Sequence, residues 1–277
     1  MKKVKFTIPY FNYEKIKEDE FHFRLKPGEI GNRIFAYYSN KDIEMVEAKS
    51  NKGENIQFNL NTKTEELYPS VIKDHKVQNE AEFWRILFFN YLNNPKHIRE
   101  KILYKKIFDD LEAAIKDEKM IRIKYKSELR EIHPYLIKTA PGEDRSYLFC
   151  YCTKNDTHRN YRVANIKDVF ISKNNLEFID QAYIDEIDKN FDPFLSYGKT
   201  VTIKLTELGK TIYERATYNR PKRIDEDEKG DIWIFQCTNK HAKVYFPQFM
   251  SEIEILEPKN LREWYIDELR KIMKYYK

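Results

Sequence analysis

Short stretches of alternating polar and apolar residues recur along this chain, with helix-spaced runs between them. Lys3-Val4-Lys5-Phe6-Thr7-Ile8 alternates strictly, and so does Asn55-Ile56-Gln57-Phe58-Asn59-Leu60. A period of two predicts a strand in each, with Val4, Phe6 and Ile8, or Ile56, Phe58 and Leu60, turned inward. Helical stretches follow at Tyr13–Phe23 and Thr64–Lys73, then polar breaks at Lys26–Glu29 and Lys76–Glu80. Second helices carry Ile30, Ile34, Phe35 and Tyr38 in one copy and Phe83, Leu87, Phe88 and Tyr91 in the other. Phe6 matches Phe58 at an offset of 52 and Ile30 matches Phe83 at 53, so strand, helix, helix is an internal repeat.

Asn93-Asn94-Pro95 ends the second copy, and Ile98–Lys116 predicts one connecting helix with Ile102, Ile107, Leu111 and Ile115 on one face. From Met120 to Ile171 short strands dominate. Ile121, Ile123 and Tyr125 alternate with Arg122, Lys124 and Lys126, followed by Arg130–Tyr135, Ser146–Tyr151 and Tyr161–Val163. Such a run with turn residues between predicts a small barrel of about fifty residues. Lys173-Asn174-Asn175 reads as a turn, and a polar, helical-looking linker runs to Asp192-Pro193. The last module predicts strands at Val201–Leu205, Asp231–Phe235 and Ile253–Leu256, with a charged loop from Asp225 to Gly230. Its helices are Glu207–Ala216, a stretch at His241–Phe249 limited by Pro247, and a closing helix Leu261–Tyr276. That helix should turn Leu261, Trp264, Tyr265, Leu269, Ile272 and Met273 inward.

Composition narrows the function classes. Fifty basic against 45 acidic residues give a formal charge of +5, which permits a nucleic-acid partner without requiring one. Twenty Tyr and eighteen Phe build cores and also offer stacking platforms. Cys150 and Cys152 fall on one strand face as packed thiols, Cys237 is distant, and neither a disulfide scaffold nor zinc spacing results. Histidines at 22, 75, 97, 133, 158 and 241 include no pair at ligand spacing, and the seven glycines form no phosphate loop. Neither a nucleophile motif nor a cofactor motif is present, so the expectation is a protein that is not an enzyme and takes no cofactor. The start lacks an apolar run of signal-peptide length and no stretch approaches eighteen apolar residues, so a soluble cytoplasmic protein with no membrane partner is expected.

The strand-helix-helix repeat resembles the ribbon-helix-helix family, in which two copies pair their strands into a ribbon that enters a nucleic-acid groove. The outward side chains would be Lys3, Lys5 and Thr7 from one strand and Asn55, Gln57 and Asn59 from the other. Lysine grips phosphate, while Asn and Gln read base edges. The second-helix starts near Gly28 and Asn79 would add backbone N–H groups. The plain alternative is the solvated face of a dimerising domain.

A second resemblance covers about residues 105–276. Leu111–Ile115 leading into Ile121–Tyr125, His133-Pro134-Tyr135, and Tyr161-Arg162-Val163-Ala164-Asn165-Ile166 are similar to blocks of the WYL-domain family. The family's Trp-Tyr-Leu triplet is Ser146-Tyr147-Leu148 here, and its second arginine is Asn165. Ile255-Leu256-Glu257-Pro258 and the final helix resemble the family's C-terminal extension. Leu205–Lys210 and Asn219-Arg220-Pro221 resemble the accessory WYL proteins of type VI CRISPR systems. The resemblance implies a homodimer that binds single-stranded RNA and modulates a CRISPR effector nuclease, or a DNA-binding transcriptional regulator that senses a nucleotide or other anionic ligand.

The fold expected is therefore α+β, with tandem ribbon-helix-helix units, an SH3/Sm-like small β-barrel and a C-terminal α/β sandwich extension. The expected boundaries are 1–50 and 51–95 for the two units, 96–118 for the connector, 119–180 for the barrel, 181–198 for the linker and 199–277 for the extension. Tyr125, His133, Tyr147, Arg159 and Arg162 are the candidate barrel site. Arg162 leads, because a guanidinium grips one phosphate bidentately, with Arg159 beside it and a tyrosine stacking on a base. Each has a plainer role open to it: Tyr147 in the core, His133 at a turn, Arg162 in a salt bridge with Glu131. Three functional readings stand side by side: a DNA-binding regulator, an RNA-binding accessory protein, and a scaffold for protein partners.

Overall fold

A computed structural model describes residues 2–41, 43, 53–74, 79–140 and 144–276. The break at 76–78, His75 and the boundary between 50 and 51 lie outside the described residues. The chain divides into two compact units. The first comprises 1–137, 144–156 and 161–177, and the second 138–143, 157–160 and 178–277.

The first unit begins with the repeat. Strand β1 (Lys3–Ile8) is followed by helices α1 (Tyr10–Phe23) and α2 (Pro27–Tyr38), and β2 (Glu54–Asn59) by α3 (Thr62–Asp74) and α4 (Glu80–Leu92). β1 and β2 pair antiparallel within one chain, with Lys3 opposite Asn59, Lys5 opposite Gln57 and Thr7 opposite Asn55. The alternation does what its period requires: Val4, Phe6, Ile8, Ile56, Phe58 and Leu60 are all buried. Beneath them Trp84 is fully buried, ringed by Phe6, Phe35, Phe58, Tyr68, Phe83 and Phe88, and its indole N–H donates to the Tyr68 hydroxyl at 2.8 Å. Asn32 fastens α2 to the ribbon, donating to the carbonyls of Gly28 and Asn59 and accepting from the Asn61 N–H.

Helix α2 comes close to the ribbon because residue 31 has no side chain. A Cβ built on Gly31 would stand 2.2 Å from Cζ of Phe58, whose ring is held by Trp84 and Phe88. Gly31→Ala should therefore lower stability by about 1–3 kcal/mol through overpacking, despite alanine's better helix propensity. A urea melt checks this; a stabilised variant would show that the Phe58 ring moves freely.

The connector expected as a single helix is two, α5 (Lys96–Leu103) and α6 (Lys105–Lys116). They meet at Tyr104, where φ −113° and ψ 27° leave the helix and the hydroxyl donates to the Phe23 carbonyl at 3.1 Å. Next come β3 (Lys119–Tyr125), β4 (Glu128–Thr139), β5 (Ser146–Cys152), β6 (Thr157–Arg162) and β7 (Ile166–Asn175), so the turn expected at 173–175 is strand.

The small barrel is not formed. These five strands make one sheet in the order β6-β5-β4-β3-β7, and its first and last strands do not pair. Alternation fixes which side chains face inward, whereas closure depends on tilt and stagger, which alternation does not encode. Here α6 packs on β3 and β7 and brings in Leu111 and Ala114, so a helix covers apolar strand surface. Cys150 and Cys152 are both buried free thiols.

The second unit contains α7 (Gln181–Lys189), β8 (Thr200–Leu205), α8 (Glu207–Arg215), β9 (Lys222–Glu226), β10 (Ile232–Gln236), α9 (Asn239–Tyr245), β11 (Ile253–Glu257) and α10 (Lys259–Tyr275). Its antiparallel sheet runs β11-β8-β10-β9 around a core of Val201, Ile203, Trp233, Phe235, Tyr245, Phe246, Phe249 and Leu261. Strand β9 starts ahead of the loop expected at 225–230 and takes in its first two residues. Along α10 only Leu261 is fully buried; Trp264 and Tyr265 pack against the core, while Leu269, Ile272 and Met273 are exposed. Among the described residues no helix is long and apolar enough to cross a membrane.

Candidate nucleic-acid interface

The ribbon presents one exposed polar face. Lys3, Lys5, Asn55, Gln57 and Asn59 are exposed and Thr7 half-buried, and the register sets the six as three directly opposed pairs. Thr7 Oγ1 donates to Asn55 Oδ1 at 3.1 Å. The face carries two cations and three amides on a two-stranded ribbon, an element of the kind that a DNA major groove, about 12 Å wide, admits. The helix starts behind it are less open than expected. α2 begins on Pro27, with the Glu29 carboxylate reaching back to the Lys26 N–H, and the Asn79 side chain caps the Glu82 N–H in a first turn that carries Glu80 and Glu82.

The five residues proposed for the sheet scatter. His133 is buried on β4, and its Nδ1 accepts the Glu177 N–H at 2.8 Å; burial lowers its pKa. Tyr125 is half-buried against Tyr161, ring centroids 4.8 Å apart, and its hydroxyl accepts from Asn165 at 3.5 Å. Tyr147 is half-buried on β5, and Arg159 is exposed in the second unit.

Arg162 is where chemistry collects. Its Nη2 donates to His22 Nε2 at 2.8 Å and lies 3.4 Å from the His22 carbonyl, and no salt bridge to Glu131 forms. Burial, then Lys96, Arg162 and Arg145, push the His22 pKa down to about 4, so the ring is a neutral acceptor at physiological pH. Against these cations stand Glu18, paired with Lys96 at 2.6 Å, and Glu100 on α5, wholly buried, with one carboxylate oxygen accepting the Ser146 N–H at 2.7 Å and the other unpartnered among the described residues. Burial raises the Glu100 pKa, and the Ser146 hydrogen bonds, then the charge of Arg162, partly offset that. Arg162 Nε is likewise buried without an acceptor among the described residues. Arg162 thus keeps an unfilled N–H, a donor that suits an anion, while Lys96 beside it is paired with Glu18.

The sequence named Arg162 as a candidate but not its neighbours His22, Lys96, Glu100 and Arg145, because His22 and Arg162 are 140 residues apart. One signal was legible: Arg99 and Glu100 stand three to four residues before Ile102 and Leu103, so helical spacing puts charge on the face those apolar residues bury. Among the described residues no group of three or more His, Cys, Asp or Glu is placed to hold a metal ion.

Residues 106–171, from α6 to within β7, match the sequence profile described as "WYL domain". The chain carries a WYL domain. Its Arg145 and Arg162 therefore meet His22, Lys96 and Glu100 from the helices before it. No curated protein matches the chain. Among solved structures, the one titled "Crystal structure of a CRISPR Cas-related protein" superposes with a TM-score of 0.70 at 13% identity, covering 100% of this chain and 95% of that one. The two share a fold along their whole lengths. The proteasome accessory factor B/C (PafBC) of Arthrobacter aurescens aligns over 78% of this chain and 36% of that one, at 14% identity and a TM-score of 0.31.

Proposed function

We propose that this protein is a non-catalytic regulator that grips nucleic acid with its ribbon and takes an anionic ligand, a nucleotide or a phosphate of a single strand, beside Arg162 of the WYL domain. The observation that carries the reading is the ribbon: six outward polar side chains in three opposed pairs, backed by the Trp84 core. Both halves come from one chain, so the ribbon is complete without a second copy. The primary target is duplex DNA, as for a transcriptional regulator whose WYL domain is the sensor. The second reading is a single-stranded-RNA-binding accessory to a CRISPR effector nuclease, and the whole-chain likeness to the CRISPR Cas-related structure favours it.

A titration of the full chain with single-stranded RNA and with duplex from its own upstream region separates the two. Tight binding to duplex alone sinks the RNA reading, tight binding to RNA alone sinks the DNA reading, and binding to neither overturns the proposal in favour of a protein scaffold. Replacing Lys3 and Lys5 together by alanine should weaken duplex binding across all sequences and flatten the salt slope by about 1.8, the loss of two phosphate contacts. An unchanged slope would remove the ribbon from the interface.

A further inference from the structure

The second unit has a cleft of its own, of about 530 Å³, between the segment 186–194, residues 217–222 and His241. Three cations line it: Lys189, Arg220 and Lys222. Neither lysine makes an ion pair among the described residues, whereas the Arg220 guanidinium lies 3.7 Å from the Glu214 carboxylate. The two carboxylates nearby are occupied. Asp192 accepts the backbone N–H groups of Phe194 and Ser196 at 2.8 and 2.7 Å, and Glu186 accepts the Asn190 amide at 2.9 Å. The lining of the cleft thus carries three cations against two carboxylates, a small positive balance.

Its wall is aromatic and fixed. The His241 ring stacks on Phe194 at 4.0 Å with 5° between planes, and is pinned through Nδ1 to Ser196 Oγ at 3.3 Å and through Nε2 to the Asn219 carbonyl at 2.7 Å. Asn219 itself sits in the left-handed region, φ 53°, which Asn tolerates better than most residues. Its side-chain oxygen is wholly buried with no donor among the described residues. A desolvated amide oxygen is costly to leave unpaired, and such groups in native proteins call for an explanation. A donor on a bound molecule supplies one.

Cations for a phosphate, an aromatic wall for a ring and an unfilled acceptor for an amino group together specify a ligand. We propose that this cleft binds a nucleoside phosphate whose base carries an exocyclic amino group, the phosphate held by Lys189, Arg220 and Lys222 and the amino group by Asn219 Oδ1. The site lies outside the WYL domain and does not depend on the ribbon or on Arg162.

Calorimetric titration of the full chain with adenosine monophosphate tests it, with uridine monophosphate, adenosine and inorganic phosphate as separate arms. The expected result is saturable binding of the adenine nucleotide, about tenfold tighter than the uridine nucleotide, which lacks the amino group, and tighter than adenosine or phosphate alone. Lys222→Glu, at an exposed position, should weaken it about tenfold with the melting temperature unchanged; Arg220→Gln should weaken it to a similar extent while also removing the contacts of Arg220 with Tyr213 and Glu214. Arg162→Ala should leave it intact, which keeps this site distinguishable from the WYL one. No saturation in the millimolar range, equal affinity for phosphate alone, or binding abolished by Arg162→Ala but not by Arg220→Gln would each overturn the proposal.

Discussion

Arg99→Ala should destabilise the first unit by about 3–5 kcal/mol, the cost of leaving one member of a buried ion pair uncompensated. Asp19 is wholly buried on α1, and the Arg99 guanidinium from α5 grips it twice, Nε to Oδ2 at 2.8 Å and Nη2 to Oδ1 at 2.9 Å. The Tyr91 hydroxyl of α4 donates to the same carboxylate at 2.7 Å, and Arg99 Nη1 donates to the Asn94 carbonyl at 3.0 Å. Burial first, and Asp19 second, hold the Tyr91 phenol well above its ordinary range, so it remains a donor at any working pH. One helix from each copy of the repeat and the first connector helix thus converge on one carboxylate. Arg99→Lys should recover little, because an ammonium cannot reproduce the two-pronged contact. Pairing Arg99→Met with Asp19→Leu should restore much of the loss, since neither charge is then stranded. Urea denaturation at neutral pH measures all three; a loss below about 1 kcal/mol for Arg99→Ala would show water reaching Asp19.

The ribbon face was legible because burial on one side of a strand leaves a period of two in the sequence. Val4, Phe6 and Ile8 against Ile56, Phe58 and Leu60 identify the inner face, and the six outward residues follow without knowing the register. The same reasoning failed at the five-stranded sheet. Alternation at Ile121 and Ile123 says which side is buried and nothing about whether the first and last strands meet. Strand β9 was only partly visible, since all five residues from Lys222 to Glu226 are exposed and four are charged, leaving no burial for a pattern to record. The stripe Leu269, Ile272 and Met273 on α10 failed in the opposite sense. Helical spacing reports that an apolar side exists, whereas exposure depends on what the fold lays against it.

The candidate anion site divides the same way. Arg162 carried a local signal, its place in a recurring block. Its partners are set by tertiary contact alone: His22 closes α1, Glu100 sits inside α5, and Arg145 precedes β5. Sequence spacing has no term for a pair 140 residues apart. The family blocks pointed to the arginine, and only the packing of α1 and α5 around it shows that a neutral histidine, not a carboxylate, is its partner.

That partnership would make the proposed anion binding at Arg162 depend on pH. Arg162→Ala should weaken binding of a single-stranded oligonucleotide by at least about 2 kcal/mol, roughly thirtyfold, by removing the half-buried guanidinium. His22 accepts the Arg162 N–H only while unprotonated, and its folded pKa of about 4 lies below the ordinary 6.5 because of burial and the nearby cations. A folded-state pKa held low means that the unfolded chain binds the proton better. The stability contributed is present in full above pH 6.5 and is lost as pH falls toward and through about 4. An anion bound beside Arg162 reverses the local field, raises the His22 pKa and takes up a proton on binding. Affinity should therefore rise as pH drops from about 6.5 toward 5, opposite in sign to stability over the same window. His22→Gln keeps a hydrogen-bonding side chain that cannot titrate there, so it should flatten this pH dependence and leave binding at pH 8 near its original strength. A pH profile unchanged by His22→Gln, or oligonucleotide affinity unchanged by Arg162→Ala, would place the anion elsewhere.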